Sequence, residues 1–185
     1  MGLAKTNVAK ALGMANGISA PWFRCQALAG VARYASDEQV IKIAKAAIAA
    51  ALKADDHYKQ VAATAWPFRA LIERNREAEA VKLLSPILEL SAQISNPVSR
   101  SDALFSLWEA FYPAAGHKSV LGALVRSCQG HWKADQILRQ VVLIIAAQDR
   151  DQAHRIAASM SESQSKRQAL RRLDEGQFES VRSFF

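Results

Sequence analysis

The sequence predicts an all-α protein, and three observations support this fold class. Apolar residues recur with helical spacing along most of the 185 residues. Alanine, which has the highest helix propensity, contributes 35 residues, whereas Gly and Pro together contribute only 13. We find no segments with the alternation of apolar and polar residues that is typical of paired β-strands. With 50% hydrophobic residues, the chain is long enough to fold as one compact domain with a sizeable core.

The apolar spacing divides the chain into ten predicted helices. Apolar residues at i, i+3, i+4 and i+7 form one stripe along a helix, and Trp108 lies in such a stripe, so we expect it to be part of the core. The apolar run 141–147 could be a buried strand, but its length and context favour a buried helix. The predicted helices span 3–15, 20–35, 38–54, 56–74, 77–94, 97–112, 119–129, 132–147, 151–160 and 164–174.

Residues with known roles at helix ends separate these ranges. Asn96 followed by Pro97 is a strong helix start, because Asn caps the free amide groups and Pro has the backbone angle of the first turn. Pro67 and Pro86, by contrast, lie inside predicted helices. Each proline removes an amide donor, so we expect it to kink its helix or to split it in two.

A short motif recurs near the helix starts. Pro, a basic residue three positions later and Ala-Leu three positions after that occur together at 21–28 and again at 97–104. Fainter copies lie at 58–63 and 165–170, where Lys takes the place of Arg. The basic residues are 35, 41 and 66 residues apart, at Arg24, Lys59, Arg100 and Lys166. The last interval is close to two units of about 33 residues, which is the length of one helical hairpin.

This recurring pattern resembles that of HEAT-type and related α-α superhelical repeat proteins, whereas the tetratricopeptide pattern fits less well. The resemblance implies a right-handed α-α superhelix of about ten helices packed as antiparallel hairpins. It further implies one helical-repeat domain over 1–185, with a core at 19–174 and a C-terminal tail at 175–185. A compact globular bundle is the structural alternative. Because such families share packing positions rather than catalytic residues, the resemblance implies a scaffold whose curved face binds a partner.

Hydropathy and the positions of the cysteines predict the cellular location of the protein and whether it has a membrane partner. No uninterrupted apolar run approaches the roughly 20 residues that a membrane helix needs, so we expect no membrane partner. Cys25 and Cys128 lie far apart in apolar stretches, and neither has a second Cys at metal-ligand spacing. Two buried free thiols therefore fit better than a disulfide, and they predict a reducing, cytoplasmic location.

The residue patterns of catalytic and metal sites are missing from the sequence. The 8 glycines are scattered, and none begins a phosphate-binding loop. The histidines never pair at i, i+4, the spacing of helical metal ligands, and they are His57, His117, His131 and His154. We therefore predict no enzymatic activity, no cofactor and no bound metal. A buried carboxylate or His with a strongly perturbed pKa in a deep pocket would reopen the question of catalysis.

The chain carries a net charge of +7, which is spread evenly rather than gathered in a basic tail. One basic cluster stands out near the C-terminus, within residues 150–172. Such a cluster can bind phosphates or an acidic partner, although a solvated helix face is the simpler interpretation. Its candidate binding residues are Arg155, Lys166, Arg167 and Arg171.

Arg24 and Arg100 occupy matching positions in the repeated motif and are further candidate binding residues. A row of such basic groups along one groove would suit a phosphate backbone. The simpler interpretation is a hydrogen bond or ion pair between neighbouring units, with Asp102 or Asp135 as the acceptor.

Trp22 and Trp132 complete the candidate binding residues. Both lie near helix starts, where an amphipathic ring can be half exposed. An exposed ring beside arginine would suit a protein interface or stacked nucleic-acid bases. Ordinary packing is the alternative for each of the two rings.

The sequence leaves two functions open. The favoured one is a non-catalytic helical-repeat scaffold that binds an unidentified protein partner through its curved face. The alternative is a nucleic-acid-binding or nucleic-acid-processing HEAT-like module that uses a basic groove. A contiguous basic groove containing Arg24 and Arg100 would favour nucleic acid, whereas a mixed or apolar groove would favour a protein partner.

Overall fold

A computed structural model describes residues 2–185 and confirms the all-α class, so Met1, the first residue of the predicted domain, lies outside the described residues. Within 2–185 there are eleven α-helices and no β-strand. In the same range, no helix combines the length and hydropathy needed to cross a lipid bilayer. The helices are α1 (Gly2–Thr6), α2 (Val8–Asn16), α3 (Pro21–Ala32), α4 (Val40–Ala51), α5 (His57–Glu73), α6 (Glu77–Ser91), α7 (Pro97–Phe111), α8 (His117–Cys128), α9 (Asp135–Ile145), α10 (Arg150–Ser159) and α11 (Gln164–Asp174).

The single helix predicted at 3–15 is two helices, which accounts for the eleventh element. The Asn7 side chain accepts a hydrogen bond from the backbone N–H of Lys10 at 2.9 Å and caps the start of α2. The prediction of one continuous helix was wrong because it overlooked this cap. The predicted cap at the start of α7 is confirmed, since the Asn96 side chain accepts from the N–H of Val98 at 2.9 Å.

Pro67 and Pro86 lie inside α5 and α6, and neither proline splits its helix. Proline at position 67 has no N–H to donate to the carbonyl of Ala63, four residues earlier. The thiol of Cys25 on α3 takes that place and donates to the Ala63 oxygen at 3.2 Å. This buried carbonyl therefore keeps a donor at the place where α5 packs on α3.

The odd-numbered helices from α3 to α11 form a continuous row in which each helix contacts the next. Contacts at both ends of α5 and α7 show that these neighbours run parallel. Near their starts, the Tyr58 hydroxyl donates to Asp102 at 2.8 Å, and towards their ends the rings of Phe68 and Phe111 lie 5.0 Å apart. Each even-numbered helix from α4 to α10 packs on the odd-numbered helix before it.

Buried apolar residues from the helices form one continuous core. Trp108 is fully buried in it, as predicted. Cys25 and Cys128 are both buried and free, which confirms the prediction of two free thiols. Burial raises the pKa of Cys25 to about 12 and that of Cys128 to about 11, so both thiols stay protonated at neutral pH.

Cys25→Ala tests whether the thiol compensates for the amide hydrogen bond that is missing at Pro67. We expect this change to lower the free energy of unfolding by about 1–3 kcal/mol, because the buried Ala63 carbonyl loses its donor. In a Pro67→Ala background the loss should be about 1 kcal/mol smaller, since the new amide at position 67 can donate to that carbonyl. Urea denaturation of the four proteins measures both losses. Equal losses in the two backgrounds would contradict this role of the thiol.

Candidate functional site

A cavity of about 540 Å³ opens on one face of the row of odd-numbered helices, and we call it the central cavity. Its lining residues are mostly three or four positions apart within each helix, a spacing that places them on one helix face. The helical lining consists of Trp22 and Gln26 on α3, Tyr58, Ala62 and Trp66 on α5, Asp102, Phe105, Ser106 and Glu109 on α7, and Gln140 and Ile144 on α9. Glu179, Ser180 and Arg182, which follow α11, line the remaining wall.

Two tryptophans form an ordered aromatic wall in the central cavity. The Gln26 side-chain oxygen, in the amide orientation that satisfies all three residues, accepts from the indole N–H of Trp22 at 2.9 Å. The same oxygen accepts from the indole N–H of Trp66 at 3.1 Å. One glutamine therefore holds both rings in place across α3 and α5.

The polar part of the cavity begins with Tyr58 and Asp102. The Tyr58 hydroxyl donates to the Asp102 carboxylate at 2.8 Å. Burial, and next the hydrogen bond to Asp102, raises the pKa of Tyr58 to about 12. The hydroxyl therefore remains a hydrogen-bond donor at neutral pH, and it orients a carboxylate at the rim of the cavity.

Glu109 is a buried carboxyl on α7, with only 4% of its surface exposed. Its Oε1 accepts from the backbone N–H of Arg182 at 3.1 Å, and its Oε2 pairs with Nε of the same arginine at 3.1 Å. Burial raises the pKa of Glu109 above its usual value, while the N–H and the positive charge of Arg182 oppose that shift. Both oxygens of the buried carboxyl are thus bound by one residue of the chain's last segment.

Residues 177–185, which we call the returning segment, run back across the row without helix or strand structure. The segment meets the helices in reverse order. The N–H of Glu179 donates to a carbonyl of α9 at 3.1 Å, and Arg182 binds Glu109 of α7. The rings of Phe184 and Phe185 lie 5.6 and 5.3 Å from the Trp66 ring of α5. The face of the row therefore already holds an extended polypeptide.

The structure places one of the eight candidate binding residues, Trp22, in the described lining of the central cavity. Arg100 lies on another surface, between α6, α7 and α8. Trp132 is 67% exposed in the connection before α9, where the Lys133 amine lies 5.6 Å from its ring. The exposed side chains of Arg167 and Arg171 share one face of α11. Arg24, Arg155 and Lys166 also lie outside the described lining.

The basic residues of the repeated motif connect consecutive helices. Each side chain reaches back from the start of its own helix to a side-chain or backbone oxygen at the end of the preceding helix or in the connection. The contacts are Arg24 to Asn16 at 3.4 Å, Lys59 to Asp55 at 2.8 Å, Arg100 to the Ile94 carbonyl at 2.9 Å and Lys166 to the Met160 carbonyl at 3.3 Å. The acceptors proposed from the sequence, Asp102 and Asp135, are not the partners found for Arg24 and Arg100.

Sequence reasoning missed Gln26, Tyr58, Trp66 and Glu109 as site residues. One signal was available for Glu109, because it is a lone acid inside the apolar stripe around Trp108. A charge in an apolar stripe conflicts with the local pattern, and such conflicts concentrate at functional sites. The returning segment carried no comparable signal, since its contacts depend on the folded row.

No protein-family model, no curated protein and no solved structure matches this chain. Among residues 2–185, no three His, Cys, Asp or Glu side chains are grouped so that they could hold a metal ion. The likeness to HEAT-type repeats therefore stays a prediction. The central cavity and the returning segment are the basis for assigning a function.

The pKa of Glu109 can be measured by carbon-13 NMR titration of its carboxyl group, and we expect a value above the usual range. Since the folded pKa then exceeds the unfolded one, this group's contribution to stability is fully present below the unfolded pKa. That contribution is lost as the pH rises through the folded pKa. A value at or below that of an unfolded Glu would contradict the dominance of burial.

Asp37 is the internal control for this titration. Hydrogen bonds from Arg74 and Arg76 hold the pKa of the Asp37 carboxyl below its usual value. Its contribution therefore has the opposite sign, being present above the unfolded pKa and lost as the pH falls through the folded one. The two carboxyls should shift in opposite directions in one experiment.

Proposed function

We propose that this chain is a non-catalytic helical-repeat scaffold that binds a protein partner across the face of its odd-numbered helices. The proposed architecture is a right-handed α-α superhelix of hairpins. It is supported by the parallel row of odd-numbered helices and by the hairpin packing of the even-numbered ones. The motif copies also lie at the starts of α3, α5, α7 and α11, so the longest interval between copies skips one hairpin.

The observation that carries the proposal is the returning segment itself. It is an extended polypeptide that contacts helices α9, α7 and α5 in turn. An exposed face that orders a peptide through backbone donors, an ion pair and aromatic contacts has the chemistry of a peptide-binding surface. The open volume of about 540 Å³ beside the segment leaves room for further side chains of a partner.

The charge of the lining supports a protein partner over nucleic acid. The described lining contains the carboxyls of Asp102, Glu109 and Glu179, and Arg182 is its one basic residue. An acidic excess repels phosphates, whereas nucleic-acid binding depends on neutralising them with Lys and Arg. A groove with charges of both signs fits a protein partner better than nucleic acid.

Glu109 reopens the question of catalysis, because it is a buried carboxyl with a raised pKa in a cavity. Its contacts favour a binding role. Both of its oxygens are bound by Arg182, and Asp102 is bound by Tyr58. The described lining holds no His, Cys or Lys that could share acid-base work with it. We therefore keep the proposal of a scaffold without enzymatic activity.

Selection of displayed random peptides on the full chain tests the peptide-binding function. We expect enriched peptides to bind the wild type and Asp174→Arg alike, because Asp174 is an exposed residue of α11 outside the cavity. Asp102→Arg, which makes the same charge change at the cavity rim, should weaken their binding at least about tenfold. Failure to enrich any peptide, or equal binding to both variants, would count against the proposal.

The nucleic-acid alternative is tested by fluorescence anisotropy with labelled duplex DNA and single-stranded RNA at low salt. We expect no salt-dependent binding. If binding does occur through α11, the double change Arg167→Glu and Arg171→Glu should reduce the slope of log affinity against log salt by roughly 2 on duplex DNA. A reduced slope together with an unchanged melting temperature would favour the nucleic-acid function.

A further inference from the structure

We propose that the returning segment is a resident ligand of the central cavity and that the partner presents the same chemistry. That chemistry is an extended stretch with an arginine followed, after one residue, by two aromatic residues. This inference rests on the proposed peptide-binding function and specifies the partner that the face accepts. The partner gains access by displacing residues 177–185.

The arginine position is defined by Glu109. Its carboxyl is fixed on α7, is 4% exposed, and binds both the backbone N–H and the guanidinium of Arg182. A buried carboxylate without a partner is costly, so an emptied cavity strongly favours a cation at this point. Because the same residue also supplies the N–H, the site selects an arginine in an extended backbone rather than a free cation.

The aromatic positions are defined by Trp66. The rings of Phe184 and Phe185 both meet the Trp66 ring edge to face, at interplanar angles of 80° and 81°. Phe184 is almost completely buried, at 4% exposure. The guanidinium of Arg33 lies over the Phe185 ring, 4.2 Å from its centre. Two adjacent aromatic side chains are therefore bound by groups that α3 and α5 hold in place.

Between these positions, part of the returning segment is exposed to solvent. Gln177, Phe178, Ser180 and Ser183 are exposed, and Phe178 is 45% exposed. The segment is held to the row at Arg182, Phe184 and Phe185, by the bond from the Glu179 N–H to α9, by the ion pair of the Glu179 carboxylate with Arg172 of α11 at 2.6 Å, and by packing of the partly buried Val181. The segment can leave by breaking these contacts while the helices stay in place.

The returning segment competes with any partner for the face of the odd-numbered helices, because it belongs to the same chain. A tethered ligand acts at an effective concentration of the order of millimolar, without any additional contact. The wild-type chain should therefore bind a free peptide of this chemistry less tightly than a chain whose own segment has been weakened. This difference distinguishes a resident ligand from an ordinary terminal segment.

The test uses the full-length double variant Phe184→Ala with Phe185→Ala, and Phe178→Ala as the matched control in the same segment. The probe is a fluorescein-labelled synthetic peptide, Gln-Phe-Glu-Ser-Val-Arg-Ser-Phe-Phe, measured by anisotropy. We expect the double variant to bind the probe at least about tenfold more tightly than the wild type and Phe178→Ala. Replacing the arginine of the probe by Glu, or its two final Phe residues by Ala, should each cost at least tenfold in affinity.

A second variant keeps the test valid if loss of the two rings impairs folding. Arg182→Glu reverses the charge opposite Glu109 at a side chain that is 46% exposed, so the helices should remain folded. We expect hydrogen exchange at the amides of Glu179 and Arg182 to become faster in this variant. The same amides of the wild type should exchange faster when the unlabelled probe peptide is added at saturation, and unchanged exchange in both cases would overturn the inference.

The outcomes separate this inference from the function on which it rests. If the double variant binds selected peptides but not the probe, or if the wild type binds the probe equally well, the inference is overturned and the peptide-binding function stands. If neither the wild type nor the double variant binds any peptide, both this inference and the peptide-binding function are contradicted. A concentration-dependent dimer in light scattering that disappears in the double variant would also overturn the inference, because the ligand would then come from a second copy.

Discussion

The packing of α5 is the constraint on which the rest of the structure depends. This helix contacts α3, α4, α6 and α7, and small side chains allow close approach, since its alanines at 62, 63, 65 and 70 are all buried. The Cys25 thiol of α3 donates to the Ala63 carbonyl that Pro67 leaves without an amide, so a buried oxygen at this helix contact stays paired. Trp66, the residue before that proline, faces the central cavity. The centre of the fold and the centre of the candidate site therefore lie on one helix.

Glu109 shows how burial and charge pairing oppose each other in this fold. The residue lies beside Trp108 in a largely buried helix, where a carboxyl lowers stability unless its charge is paired. Its pKa is raised by burial even though Arg182 opposes the shift, so the fold holds the charged form at a cost. A carboxyl kept in such surroundings is well suited to select a cation, because an unpaired charge there is far less favourable than a paired one. Trp22 and Trp66, oriented by Gln26, supply aromatic surface to the same cavity.

Overall charge and local charge point to different partners in this protein. The chain carries +7, yet the described lining of the central cavity has an excess of carboxyl groups. Several of the positive charges serve the connections between helices. Arg100 and Lys166 bind backbone carbonyls near the ends of preceding helices, and Lys59 pairs with Asp55. Net charge is thus a poor guide to the charge of one face, because some of the positive side chains make contacts near helix ends.

The sequence by itself determined the helices, the buried Trp108, the free cysteines and the cap at Asn96, because these depend on spacing within a few turns or on burial of apolar side chains. It also contained the Asn7 cap, which follows the same local rule. Only the tertiary structure decided that Cys25 would serve the carbonyl of Ala63, 38 residues away, and that Arg182 would reach Glu109 across 73 residues. Helical signals repeat every three or four residues along the chain, whereas these contacts exist only once the odd-numbered helices lie side by side. The candidate site depends on contacts between residues that are far apart in the sequence, since each of its walls comes from a different helix.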